Sequence, residues 1–219
     1  MRINKYLAQA TGISRRTADK YIEWGRVKVN NKDIQSGYDV TEGDIVTFDG
    51  ETVAPTTSKQ TLIFNKPVDY VVSRNGQGNK TIYDILPEKL HHLKAVGRLD
   101  KASSGLLLLT NDGELAQKLT HPSYQKAKIY EIELYIPLKP VDKQMIEKGI
   151  QLEDGLSKFK ISGNNKNWQI TMQEGRNRQI RRTFSKLGYT VAKLHRTSFG
   201  DATLGDIQPG KWKDYLPAN

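Results

Sequence analysis

Apolar residues along the chain follow two rhythms, one near 3.6 residues and one of two. Ile3, Tyr6, Leu7 and Ala10 recur at i, i+3, i+4 and i+7, which predicts a short helix closed by Gly12. Ser14 suits the cap of a second helix that buries Ala18, Tyr21 and Ile22 and stops at Gly25. VKVNNKDI reads as two short strands around an Asn-Asn turn, and GDIVTFDG as a further strand. Beyond the polar stretch APTTSKQ (54–60) strand patterns predominate. They are TLIFN (61–65), DYVVS (69–73), LLLLT (106–110), KIYEIELYI (128–136), WQITM (168–172) and TVAKLHRTS (190–198). In the fourth of these, Tyr130, Ile132, Leu134 and Ile136 alternate onto one face. Helical patterns fall at 81–86, 114–119, 141–148 and 177–187, the last with Ile180, Phe184 and Leu187 inward and Gly188 as its stop. Strands joined mostly by turns, with few helices between them, predict an α+β fold. The expected organisation is a small helix–helix–strand domain over 1–58, a linker at about 54–60, and a mixed, largely antiparallel sheet domain over 61–219.

Composition narrows the chemistry. The 219 residues contain no cysteine, which removes disulfides, Cys-based zinc sites, iron–sulfur clusters and a thiol nucleophile. Lys and Arg number 34 against 24 Asp and Glu, for a net charge of +10. The excess is uneven: +6 over 1–32, −5 over 33–60 and +9 over 61–219. A polyanionic partner is the leading explanation, nucleic acid before a membrane surface. The longest purely apolar run, Leu106–Leu109, is far too short to span a bilayer, and MRINKYLAQATG lacks a signal-peptide core. A cytoplasmic protein without membrane contact is expected. None of His91, His92, His121 and His195 has metal-ligand spacing, and neither GxxxxGK[ST] nor GxGxxG occurs, so neither metal nor cofactor is expected.

Three stretches concentrate candidate chemistry. Arg15, Arg16 and Lys20 lie on one face of the second predicted helix, with Arg26 and Lys28 following, a pattern open to phosphate contact or to plain solvation. GRLDKASSGLLLLTNDGEL (97–115) places Arg98 and Asp100 in a Gly-rich loop beside a buried strand, where the pair is either a structural ion pair or a working carboxylate. EGRNRQIRRTFSKLGYTVAKLHR (174–196) carries Arg176 and then Arg178, Arg181 and Arg182 on a basic helical face, and Arg98, Arg176, Arg178 and Arg182 are candidates for RNA contact. Ser103 and Ser104 have no general base nearby in sequence and read as loop or phosphate contacts; His195 reads as an RNA or solvent contact.

RINKYLAQATGISRRTADKYIEWGRVKVNNKDI resembles the RNA-binding module first described in a small-subunit ribosomal protein, the S-four type. Residues 61–212 resemble the pseudouridine synthases that modify ribosomal RNA, through the string around Asp100, through NKPVDYVVS (65–73), where Asp69 stands at a position that is Gly in many members, and through RQIRR. The resemblance implies that Asp100 is the catalytic carboxylate, that Tyr130 and Leu194 hold the target base, and that Arg181 pairs with Asp100. It implies a cofactor-free isomerisation: the base–ribose bond of a uridine is broken, the base turned, and the two rejoined through carbon 5. The implied partner is a ribosomal RNA stem-loop or an assembly intermediate, large subunit favoured over small, bound by a monomer. A carboxylate could attack the sugar or remove a proton there. A non-catalytic ribosome assembly factor with a synthase-like fold is the alternative; a transfer-RNA accessory protein rests on charge alone.

Overall fold

A computed structural model describes residues 1–55 and 58–216. The expected linker therefore includes two residues, Thr56 and Thr57, that lie outside the described residues. The chain divides into two compact units: Met1–Lys59 with Lys89–Leu93, and Gln60–Glu88 with Lys94–Asn219. The return of 89–93 to the first unit was not expected from the sequence.

In the first unit, α1 (Ile3–Thr11) and α2 (Arg15–Glu23) precede β1 (Val27–Val29), β2 (Lys32–Asp33), β3 (Val46–Phe48) and β4 (Glu51–Thr52), in the sheet order β2-β1-β3-β4. Ser14 caps α2, its hydroxyl accepting from Thr17 N at 3.0 Å. Asn30 and Asn31 both take left-handed φ, 49° and 62°, the geometry of a tight hairpin turn. The Asn30 side chain spans that turn to Asp44 and Ile45. Ile3, Leu7, Ala18, Ile22, Val27 and Val46 make the core.

The second unit is built on one large sheet. Its strands are β5 (Thr61–Lys66), β6 (Lys94–Val96), β7 (Ser104–Thr110), β8 (Lys128–Leu134), β11 (Lys160–Asn164), β12 (Asn167–Met172), β13 (Val191–Phe199), β14 (Ala202–Thr203) and β15 (Trp212–Asp214). A separate hairpin joins β9 (Ile150–Leu152) to β10 (Gly155–Ser157), and the helices are α3 (Gly113–Thr120), α4 (Pro140–Lys148) and α5 (Gln179–Lys186). The main order is β11-β12-β8-β13-β7-β5-β15, with β14 on β13 and β6 on β7. β7 with β13 is a parallel pair; the other pairings between these strands are antiparallel. The fold is α+β, with a largely antiparallel sheet.

Two strand expectations fail locally. DYVVS forms only a bridge between Val71 and Thr81, because Asp69 turns the chain with φ 69° just before it. Ile136 lies outside the alternation: β8 ends at Leu134 and Ile136 is exposed. The expected helix at 81–86 is a single 3₁₀ turn, Ile82–Asp84, closed by Thr81 and Asp84.

The parallel pair depends on Gly105. Its φ is 103°, and a Cβ there would sit 2.2 Å from Arg196 O, so only glycine lets β7 approach β13. Gly105→Ala should therefore destabilise the protein by at least ~2 kcal/mol in urea unfolding. Gly113→Ala, at the open start of α3, should stay within ~0.5–1 kcal/mol of wild type or gain stability. Equal midpoints for the two variants would contradict the close approach.

Candidate active site

Asp100 sits in the loop between β6 and β7, with its side chain one-third exposed. The chain turns after it, Ser103 N donating to Asp100 O at 3.0 Å. Leu99 anchors the loop from the other side in the buried cluster that holds Tyr130, Ile132, Leu194 and Ile170. Leu194 pairs with Ile132 across β13 and β8, and Tyr130 lies two residues further along β8, on the same face. Asp100 thus directly follows a residue of the cluster that holds Tyr130 and Leu194.

Two cations from different elements hold the turn. Lys66 ends β5 with a fully buried side chain, and its Nζ donates to Ser103 O at 2.7 Å, Pro67 O at 2.8 Å and Lys101 O at 3.5 Å. Burial pushes the Lys66 ammonium down to about 8, against the upward pull of Asp100 and Asp69. Arg181, from α5, donates to Ala102 O at 2.8 Å and to Val191 O at 2.7 Å. Burial lowers its pKa as well, with Arg178 adding to the shift and Asp100 opposing it. Three successive loop carbonyls, 101 to 103, are therefore taken by buried or half-buried cations. Lys66 was absent from the expected site residues; its signal was the Lys-Pro step in NKPVDYVVS.

The expected Arg181–Asp100 ion pair is not the one observed. The arginine within ion-pair distance of Asp100 is Arg178, at 3.8 Å. Arg178 precedes α5 in a left-handed conformation, φ 47°, and this projects its side chain back over the Asp100 loop. Arg181, one turn into the helix, lies along the loop backbone instead.

Arg176 and Arg182 both meet Asp154, at 3.0 and 2.6 Å, and Arg176 also meets Glu174 and the carbonyls of Asp154 and Leu156. Their charge is committed within the fold, tying the β9–β10 hairpin to the start of α5. Buried Gln179 joins this network, accepting from Arg176 N and donating to Ser157 Oγ and Glu174. Ser104 does have a base nearby: its hydroxyl lies 2.8 Å from His195 Nδ1, because parallel pairing sets these residues opposite each other. Burial holds His195 below its ordinary value. Arg98 is exposed.

In the first unit, Arg26 is bound to Asp49 and lies 4.3 Å from the Tyr21 ring centre, while Lys28 meets Asp33 at 3.3 Å. Arg15 is half-committed to Asn4. Arg16 and Lys20 stand exposed at i and i+4 on α2. Among the described residues no group of three or more His, Cys, Asp or Glu is placed to hold a metal ion, and no helix is long and apolar enough to cross a membrane.

A carboxylate on a clamped loop, in a chain that also carries a module with a basic helix face, fits an RNA-acting enzyme. The chain belongs to the family described as RNA pseudouridylate synthase, whose sequence pattern matches residues 60–186; that of the S4 domain matches residues 1–46. It is 40% identical to "Uncharacterized RNA pseudouridine synthase" of Aquifex aeolicus (strain VF5), over 98% of this chain and 90% of that one. It is 36% identical to "Ribosomal large subunit pseudouridine synthase B" of Escherichia coli (strain K12), over 97% and 78%. The Xanthomonas campestris protein of that name is 38% identical, but this chain covers only 44% of its length. A solved structure, "Crystal structure of pseudouridylate synthase", superposes with TM-score 0.72 at 30% identity, covering 99% of this chain and 96% of that one.

The clamp carries a pH signature. Lys66 has a folded value of about 8 against about 10.4 unfolded, so in that window the unfolded chain binds more protons. Its contribution to stability should rise from about pH 8 to about pH 10. Denaturant unfolding of Lys66→Met should lack that rise when compared with wild type across the same pH range. Parallel pH profiles would show that Lys66 does not titrate as stated.

Proposed function

We propose that this protein converts a specific uridine of large-subunit ribosomal RNA to pseudouridine, without a cofactor. The observation that carries the reading is Asp100, one-third exposed on a loop whose next three carbonyls are all held by Lys66 and Arg181. The preference for the large subunit comes from the named relatives.

In this reading the target nucleotide leaves its stack, at a cost of a few kcal/mol, and its base enters beside Tyr130 and Leu194. The tyrosine ring offers a stacking face and the leucine an aliphatic contact, suited to a base that must turn while detached from its sugar. Asp100 acts at the sugar as the base–ribose bond breaks. Carbon 5 then bonds to the ribose and gives up its proton, while the ring nitrogen freed from the sugar takes one, so the product is an isomer of the substrate. Arg181 acts through the loop backbone and is a positioning residue, with Lys66. Arg178 is the charged neighbour of the carboxylate. The S4 module adds affinity through phosphate contacts, with Arg16 and Lys20 as its freest cations.

Pseudouridine mapping of ribosomal RNA from cells with and without the protein tests the activity. One or a few uridines should lose modification in its absence and regain it on adding the purified wild type. Asp100→Asn should restore none, while its RNA affinity stays within about tenfold, since the carboxylate is not a phosphate anchor. An unchanged map would point to the non-catalytic alternative.

The module has its own test. Arg16→Ala with Lys20→Ala should flatten the slope of log affinity against log salt by ~1–2, about one per lost phosphate contact. Binding measured between low and moderate salt with an unchanged slope would remove this face from the RNA interface.

A further inference from the structure

None of the roles above uses the segment between Val71 and Thr81. Its ends meet in the Val71–Thr81 bridge, and Val71 N donates to Lys80 O at 2.9 Å, so 72–80 close into a loop. The loop is braced by its own polar groups. Ser73 Oγ donates to Asn75 O at 2.7 Å, Asn75 Oδ1 accepts from Gln77 N at 3.1 Å, and Asn79 N donates to Gly76 O at 2.9 Å. A Cβ on Gly76 would fall 1.9 Å from Asn79 O, so the turn admits no other residue. It is also fastened to the Asp100 loop: Lys101 Nζ donates to Asn79 Oδ1 at 3.0 Å, and Asp69 N donates to Lys101 O at 2.8 Å.

The chemistry of this braced loop is one-sided. No acidic residue occurs from Tyr70 to Tyr83, while Arg74, Lys80 and Lys101 are exposed cations around it. Arg74 is placed over the Tyr83 ring, 4.6 Å from its centre. Ser73, Asn75 and Asn79 spend their polar atoms on the frame. The side chains of Gln77 and Lys80 are exposed and meet no hydrogen-bond or ion-pair partner among the described residues. A primary amide offers both donor and acceptor to a base edge, and an ammonium neutralises a phosphate. Sequence-specific RNA recognition falls on unstacked nucleotides whose edges are open. Held on a rigid backbone, the two groups lose little freedom on binding.

We propose that loop 72–80 is a specificity surface that reads the single-stranded nucleotides flanking the target uridine, with Gln77 at a base edge and Lys80 at a phosphate. This rests on the synthase reading above, so the test separates the two.

The absence of cysteine makes the test direct, since Gln77→Cys places a unique thiol on the loop. Labelled with a photoreactive aryl azide and mixed with unmodified large-subunit rRNA transcript, it should cross-link within a few nucleotides of the uridine that wild type modifies. Lys160→Cys, on the sheet's edge strand β11, should not cross-link there. Gln77→Ala should lower kcat/KM on the transcript several-fold and shrink the preference for it over transcripts changed at the flanking positions. Lys80→Ala should instead weaken all these RNAs alike and flatten the salt slope by ~1. Cross-links elsewhere, or full flank discrimination in Gln77→Ala, would overturn the proposal while wild-type turnover stands. A wild type that forms no pseudouridine in any ribosomal transcript overturns the synthase reading, and this inference with it.

Discussion

Much of the second unit is arranged around a backbone problem. Immediately after Asp100 the chain turns, and three carbonyls in succession accept hydrogen bonds from cationic side chains. An unpaired buried carbonyl costs on the order of 1–3 kcal/mol. Lys66 and Arg181 supply the donors from opposite sides. Burying a lysine is itself unfavourable, as its lowered pKa records, and the carbonyl contacts offset that cost. The two burdens cancel only when both elements are in place. A loop built this way has one geometry, and the carboxylate at its head has one position.

The basic charge of the second unit divides by use. Arg176 and Arg182 bind Asp154 and so tie the β9–β10 hairpin to the start of α5. That fixes the left-handed turn from which Arg178 reaches Asp100. Lys66 and Arg181 serve the loop, and fully buried Arg196 donates to Leu106 O and so laces β13 to β7. Only the remainder, among them Arg98, Lys80 and Lys101, faces outward. Several of the basic side chains in the stretch 174–182 thus also serve as ties within the fold.

What could be read in the sequence follows from the range of the interaction concerned. Helix caps and turns are local: Ser14, Gly25, the Asn30–Asn31 turn and the alternation through Tyr130 to Leu134 were legible because neighbouring residues decide them. Ile136 was misread because the strand's end depends on where its partners stop. Asp100, Tyr130 and Leu194 were proposed through motif resemblance, and the fold puts Tyr130 and Leu194 in one buried cluster with Leu99, the neighbour of Asp100. The partner of Asp100 was not legible. Whether Arg178 or Arg181 reaches it turns on one left-handed residue, and on carbonyls whose direction no spacing encodes. The Ser104–His195 contact was hidden for the same reason, since only the parallel register of β7 and β13 sets them opposite each other.

The proposed isomerisation, run without a cofactor, would leave the protein few tools. A single carboxylate supplies little driving force by itself, so its effect depends on orientation and on the absence of rearrangement during reaction. On that reading, Lys66 and Arg181 serve Asp100 by binding the loop backbone. Gly105 belongs to the same logic, because the close approach it permits sets the height of β13, and with it Leu194, relative to the loop. In the proposed reaction, an apolar surface at Tyr130 and Leu194 would let a detached uracil turn without forming hydrogen bonds that would trap it midway. Recognition must then come from outside that surface, from groups that touch the rest of the RNA. The exposed, pre-braced polar loop fastened to Lys101 stands where such recognition and the carboxylate share one support.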